Sequence, residues 1–221
     1  MAIGSAASAR HGATWEALES LAKADGSASL PAVQALTSGR ASPRDLADAV
    51  HCLCVLHGRQ PGMIDHAAAL AVGDVALRWY GEAVAAFAQE RAYIVTLIAS
   101  AGPFPSTPGQ AESEGAIAGQ RHALEMLARS ERVGCALGAS MMLVLEWASV
   151  RRVMDAAAAA VGVTPPPSTL PSIGASASAF DTLADSTPLQ RAALFGAHQA
   201  LAQHRALWAL LEARASARDA A

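Results

Sequence analysis

The sequence predicts an all-α fold, a helical bundle in one domain, and three observations carry that prediction. First, Ser42-Pro43, Thr107-Pro108 and Thr187-Pro188 each open an Ala- and Leu-rich stretch free of internal proline. A hydroxyl residue there accepts hydrogen bonds from a helix's unpaired first amides, and proline in the first turn supplies a suitable φ while lacking a donor. Second, alanine makes up roughly a quarter of the chain, hydrophobic residues 52% and aromatic residues 5%, so strand formers are dilute and helices can approach through small side chains. Third, apolar residues recur at spacings of three, four and seven over long stretches. Long helices joined by one tight corner and one crossover fit a four-helix, ferritin-like outline with additional short N-terminal helices. An irregular bundle is the other arrangement open to such a pattern.

Residues 1–12 read as a flexible lead. A first helix is expected over Thr14 to Lys23, with Trp15, Leu18, Leu21 and Ala22 inward, and a short apolar patch follows from Leu30 to Leu36. Ser42, with Asp45 three residues on, opens a helix that ends at Gly58 before Pro61-Gly62. From Ile64 to Ser100 the spacing predicts one long helix. Its stripe is Leu70, Gly73, Leu77, Tyr80, Val84, Phe87, Ile94 and Ile98, with Asp74, Arg78, Glu82 and Gln89 on another side. Gln110 and Gln190 lie three residues after Thr107 and Thr187, which reads as two capping boxes. Gln110 to Val161 is too long for one ordinary helix, and Gly134, Gly138 and the polar patch Arg129 to Arg132 mark its break. Residues 163–186 read as a Pro/Ser/Ala-rich connection with a short helix near Phe180 to Ala184. The last helix runs to about Arg214. Leu189, Ala193, Gly196, Ala200, His204, Leu207 and Leu211 share one side of it, with Leu194, Leu201 and Trp208 on a flank. That surface is broad enough for two neighbouring helices of the same chain or for a homodimer.

A formal charge of −3, with 16 basic and 19 acidic residues dispersed along the chain, provides no basic stripe for a phosphate backbone, so nucleic acid is excluded as the expected partner. Three cysteines, Cys52, Cys54 and Cys135, do not make a secreted disulfide framework, which points to a reducing cytoplasm. No stretch of about 20 uncharged apolar residues occurs and the N-terminus has no leader pattern, so a membrane is not expected either.

Chemistry-bearing residues are densest from His51 to His66. His51, Cys54 and His57 follow one another at three-residue spacing, but a helix turns about 100° per residue, so His51 and His57 lie about 120° apart and do not converge on one ion. Asp48 is the expected partner of His51. The better candidate is the corner from Gly58 to His66. There His57 and His66 lie on the inward stripes of two helices, Asp65 can cap the second helix or orient an imidazole, and Arg59 can hold an anion at that helix's N-terminus. The expected ligand-binding set is therefore His57, Arg59, Asp65 and His66, with a small anion as ligand. The structural alternative is that Asp65 caps, the histidines bond to carbonyls and Arg59 braces the turn.

Arg91 falls on the apolar stripe of the long helix and needs a buried partner, for which Glu146, inside Met-Met-Leu-Val-Leu-Glu-Trp, is the first candidate. Glu125 and Glu131 are the others, and Arg91 is expected to pair farther down the bundle than the corner. No Glu-x-x-His, phosphate loop, Cys-x-x-Cys or nucleophile elbow occurs. His57, His66 and His204 are the histidines available as haem ligands. The functional expectation is a cytoplasmic helical ligand-binding or protein-interaction protein. Its alternative is an atypical metal- or haem-dependent enzyme using some of His57, His66, His122, Glu125 and Glu146. The sequence itself names neither a cofactor nor a substrate.

Overall fold

The computed structural model describes residues 12–132 and 134–220, and all regular structure among them is helical. In chain order the elements are α1 (Ala13–Asp25), a 3-10 turn (Ser27–Ser29), α2 (Pro31–Thr37), α3 (Pro43–His57) and α4 (Met63–Ala68). They continue with α5 (Asp74–Ala101), α6 (Gln110–Ala128), α7 (Cys135–Val161), α8 (Ile173–Leu183) and α9 (Thr187–Asp219). The lead expected at residues 1–12 lies, apart from Gly12, outside the described residues.

Helices α3, α5, α6, α7 and α9 wrap one apolar core, with α1, α2 and the 3-10 turn closing over α7 and α9, and α8 lying on α5. Trp15, Trp147, Trp208 and Phe180 are among its fully buried side chains. The most extensive helix pair is α7 against α9. Their backbones cross at two glycines. A Cβ on Gly138 would run into the Ala193 carbonyl oxygen, and one on Gly196 into the Cys135 carbonyl oxygen. Glycine at both positions is therefore what permits this approach. The broad apolar side of α9 is covered within the chain, since Ala193, Gly196, Ala200, Leu201, His204, Leu207, Trp208 and Leu211 are all buried.

Three expectations need correction. The long helix from Ile64 to Ser100 is two helices, α4 and α5, separated by a turn that ends at Gly73 with φ 87°. Helical phase carries only through an unbroken helix. Leu70 and Leu77, counted on one stripe across that turn, are 59% and 56% exposed. The second correction concerns caps. Ser42 does cap α3, its Oγ accepting from Asp45 N at 3.1 Å, but α6 begins after Gly109 and α9 after Ser186, with no side-chain cap at either. Thr107 instead accepts from Arg214 and Arg218 at 3.2 and 3.1 Å. An unforeseen cap is Ser172 on α8, accepting from Ala175 N at 3.1 Å. The third is His51, whose Nε2 lies 2.9 Å from Gly102 O while its ring stacks on Phe104. Asp48 is not its partner, being fully buried between Arg214 and Arg218 at 2.7 and 2.6 Å.

Candidate functional site

The corner forms because α3 stops at Gly58, whose N–H donates to Cys54 O at 2.8 Å, and the chain turns through Pro61-Gly62 into the six-residue α4. Asp65 fixes the start of α4. Its Oδ2 accepts from Gly62 N at 2.7 Å and from Arg91 Nη1 at 3.0 Å, and its Oδ1 from Arg91 Nη2 at 3.4 Å. Arg91 is thus paired at the corner and not with Glu146 farther down the bundle. The sequence pattern misplaced it because the α4–α5 turn folds Asp65 back toward α5. The argument for an anion at the N-terminus of a long helix lapses with that helix, since α4 is too short to sum an appreciable dipole.

Beside the turn lies a cavity of about 20 Å³, bordered by His57, Arg59, Arg91, Arg121, Glu125 and the Phe87 ring, among others. That is room for about one water or a comparably small ion. Arg121 and Glu125 contact each other at 3.7 Å, and Arg121 also donates to Val55 O at 3.2 Å. Arg59 is exposed and no ion pair or hydrogen bond engages its guanidinium among the described residues. With Arg91 offset by Asp65 and Arg121 by Glu125, Arg59 leaves the rim with about one net positive charge. Among the four expected residues, His57 and Arg59 border the cavity and Asp65 stands behind Arg91. His66 turns away to Arg129, whose Nη2 lies 2.9 Å from its Nε2.

Behind His57 runs a buried polar chain. His57 Nε2 and His204 Nε2 are 3.0 Å apart, with the two rings crossing at 81°. The other nitrogen of His204, Nδ1, has Glu146 Oε2 at 3.5 Å and no hydrogen-bond partner. At that length the contact is an electrostatic attraction more than a formed hydrogen bond. Ser27 engages the same oxygen of Glu146: its N donates to Oε2 at 2.9 Å and its Oγ donates to it at 2.5 Å. Trp208 Nε1 donates to the same Ser27 Oγ at 2.7 Å. Gly26 makes this approach open, since a Cβ there would meet Glu146 Oε1 at 2.5 Å. Trp147 packs its ring against His57 at 5.2 Å between centroids.

The electrostatics follow from this arrangement. Burial pushes the Glu146 carboxyl up, but His204 and the two Ser27 donors outweigh it and hold the group below its usual range, hence ionised. For His57, burial and then the neighbouring His204 both push well below the usual imidazole value, hence neutral. The 3.0 Å contact between the two Nε2 atoms needs a proton on one of them and a lone pair on the other. The other nitrogen of His57, Nδ1, has no hydrogen-bond partner among the described residues.

Two further buried ionic clusters have a bracing character. Asp48 joins Arg214 and Arg218, with Thr107 and Gln110 also accepting from Arg214 Nη2. Glu90 takes Arg151 at 2.6 Å, and Arg151 also reaches Asp155 at 3.2 Å and lies over the Tyr93 ring. A larger open groove, about 560 Å³, runs between α2 and the end of α9, but Asp45 and Arg218 on its wall are already paired. No group of three or more His, Cys, Asp or Glu side chains among the described residues is placed to hold a metal ion.

Sequence reasoning noticed His204 and Glu146 singly and passed over Ser27. Glu146 in an apolar run and His204 on the inner side of α9 were visible signals. Their meeting with His57 depends on how three helices separated by scores of residues pack. No curated protein and no solved structure matches the chain. Residues 22–219 do match one family model, and on that extent the chain belongs to the Family of unknown function (DUF6975).

Proposed function

We propose that this chain is a helical ligand-binding protein whose site is the cavity at the α3–α4 corner, and that the ligand is a small monoanion. What supports the reading is one juxtaposition: a void of about 20 Å³ with an apolar wall, bordered at its rim by Arg59, an arginine with no counter-charge. An anion there gains the Arg59 charge at the solvent edge and a cavity wall of Phe87 and neighbouring apolar residues, where the effective dielectric is lower and the attraction stronger. The volume selects against bulky ligands. Formate is a suitable probe. Titrated into protein with isotopically labelled histidine, it should move the His57 ring resonances saturably, and Arg59→Ala should weaken that response about tenfold, the loss of about 1.4 kcal/mol. Resonances that do not move, or move identically in Arg59→Ala, would remove the proposal.

The buried Glu146–His204–His57 chain favours a second reading, an atypical enzyme with a His/Glu site inside the bundle, metal- or haem-dependent in its stronger form. Elemental analysis and a visible spectrum of protein purified without added metal test that form. A stoichiometric metal or a Soret band supports it, and neither signal at any preparation sinks it.

A further inference from the structure

We propose that His57 is an acid–base residue: its Nδ1 takes a proton from a water or small X–H-bearing anion in the corner cavity while its Nε2 passes one to His204 beside Glu146. The inference rests on the corner cavity being a ligand site, and adds a reaction to it. Three observations carry it. His57 borders the cavity and uses Nε2, not Nδ1, inside the protein. The two Nε2 atoms are 3.0 Å apart, a distance across which a proton moves along one hydrogen bond. His204 Nδ1 is buried with only Glu146 Oε2 near it, at 3.5 Å, a loose contact that a charge on His204 would tighten.

The step balances as a proton transfer alone. The X–H bond breaks and His57 Nδ1–H forms; the His57 Nε2–H bond breaks and His204 Nε2–H forms. The ligand leaves as its conjugate base, His57 ends neutral with its tautomer exchanged, and the positive charge rests on His204 against the Glu146 carboxylate. No electron moves. His57 is suited to passing a proton rather than keeping it, because its burial disfavours the imidazolium. Ser27, itself held by Trp208, fixes the Glu146 oxygen that faces His204, so His204 and Glu146 serve as positioning residues for the base. The charged groups around His57 are Arg59 at the turn, Arg91 of α5 with Asp65 of α4, Arg121 and Glu125 of α6, Glu146 of α7 and His204 of α9. Their ion pairs leave Glu146 as the carboxylate nearest the histidine pair.

The test is a two-bond proton–nitrogen correlation on the full chain with nitrogen-labelled histidine, followed as pH is lowered. The expected spectrum at neutral pH has His57 as the Nε2–H tautomer and His204 as the Nδ1–H tautomer. On acidification His57 should exchange from the Nε2–H to the Nδ1–H tautomer, and Glu146→Gln should displace this exchange to lower pH. A His57 that becomes the charged ring, or that starts as Nδ1–H, overturns the proposal. Because the wild-type spectrum decides it, a poorly folding Glu146→Gln chain leaves it falsifiable, and His204→Gln, which should abolish the tautomer exchange, is the second variant. Formate titration separates the two proposals. Saturable shifts without the tautomer exchange overturn the proton relay and spare the binding site; the exchange without formate binding overturns the anion reading and leaves water as the proton donor.

Discussion

Replacing Gly138 by alanine should cost stability, whereas the same replacement at Gly81 should add it. Alanine in place of an interior helix glycine gains about 0.5–1 kcal/mol from backbone entropy, and nothing lies within 4 Å of the position a Gly81 Cβ would take. At Gly138 the same gain is opposed by a collision with the backbone carbonyl of Ala193, which no rotamer can relieve. Helices α7 and α9, the most extensive helix pair among the described residues, would have to part. Overpacking of a rigid core typically costs about 1–3 kcal/mol, and a backbone collision belongs at the upper end, so the net loss should be about 2 kcal/mol. With an m-value of about 2–3 kcal/mol/M for a chain of this size, the urea midpoint should fall by somewhat under 1 M for Gly138→Ala and rise slightly for Gly81→Ala. Gly196→Ala should follow Gly138→Ala. Equal midpoints for the Gly81 and Gly138 variants would refute the close crossing of α7 and α9.

Asp48→Asn removes the carboxylate that two buried arginines share, and should lower stability by about 3–5 kcal/mol, seen as a fall in Tm of about 10 °C. Acidification should destabilise the chain. His57 has its pKa held well below 6.5 in the native state, so between that value and about 6.5 the unfolded chain binds more protons, and stability rises with pH through that window. Glu146, lowered from 4.5, adds the same sign at more acid pH, and His57→Gln should flatten the upper part of a urea-midpoint-against-pH plot. Cys52, fully buried with its thiol pushed up to about 12, should resist iodoacetamide in the native protein and react only once it is unfolded. Labelling of Cys52 at the rate of a free thiol would contradict its burial.

Local chemistry made most of the helices legible. Ser42 caps α3, Gly134 and the polar residues from Arg129 to Arg132 separate α6 from α7, with Gly138 falling inside α7 instead of at the break, and the hydrophobic pattern of α9 marks the side that α7 covers. Each depends on interactions within a few residues or on the 3.6-residue period. The α4–α5 turn was hidden because its apolar residues happen to keep the seven-residue spacing across it, although Gly73 with its positive φ breaks the helix. Thr107 and Thr187 carry the pattern of a cap, yet the helices start elsewhere, and Thr107 is drawn instead to Arg214 and Arg218.

What the sequence determined by itself is an all-α chain with a core of small and aliphatic residues and a few large rings, because composition, periodicity and helix punctuation are local properties. The tertiary structure alone decided which polar groups meet. It moved Arg91 to Asp65, gave Asp48 to two arginines from the far end of α9, and aligned Ser27, Glu146, His204 and His57 from four separate segments. The physical reason is that a buried charge or imidazole must find a partner somewhere in the folded chain, and the relative packing of helices, which no local spacing encodes, determines where that partner is.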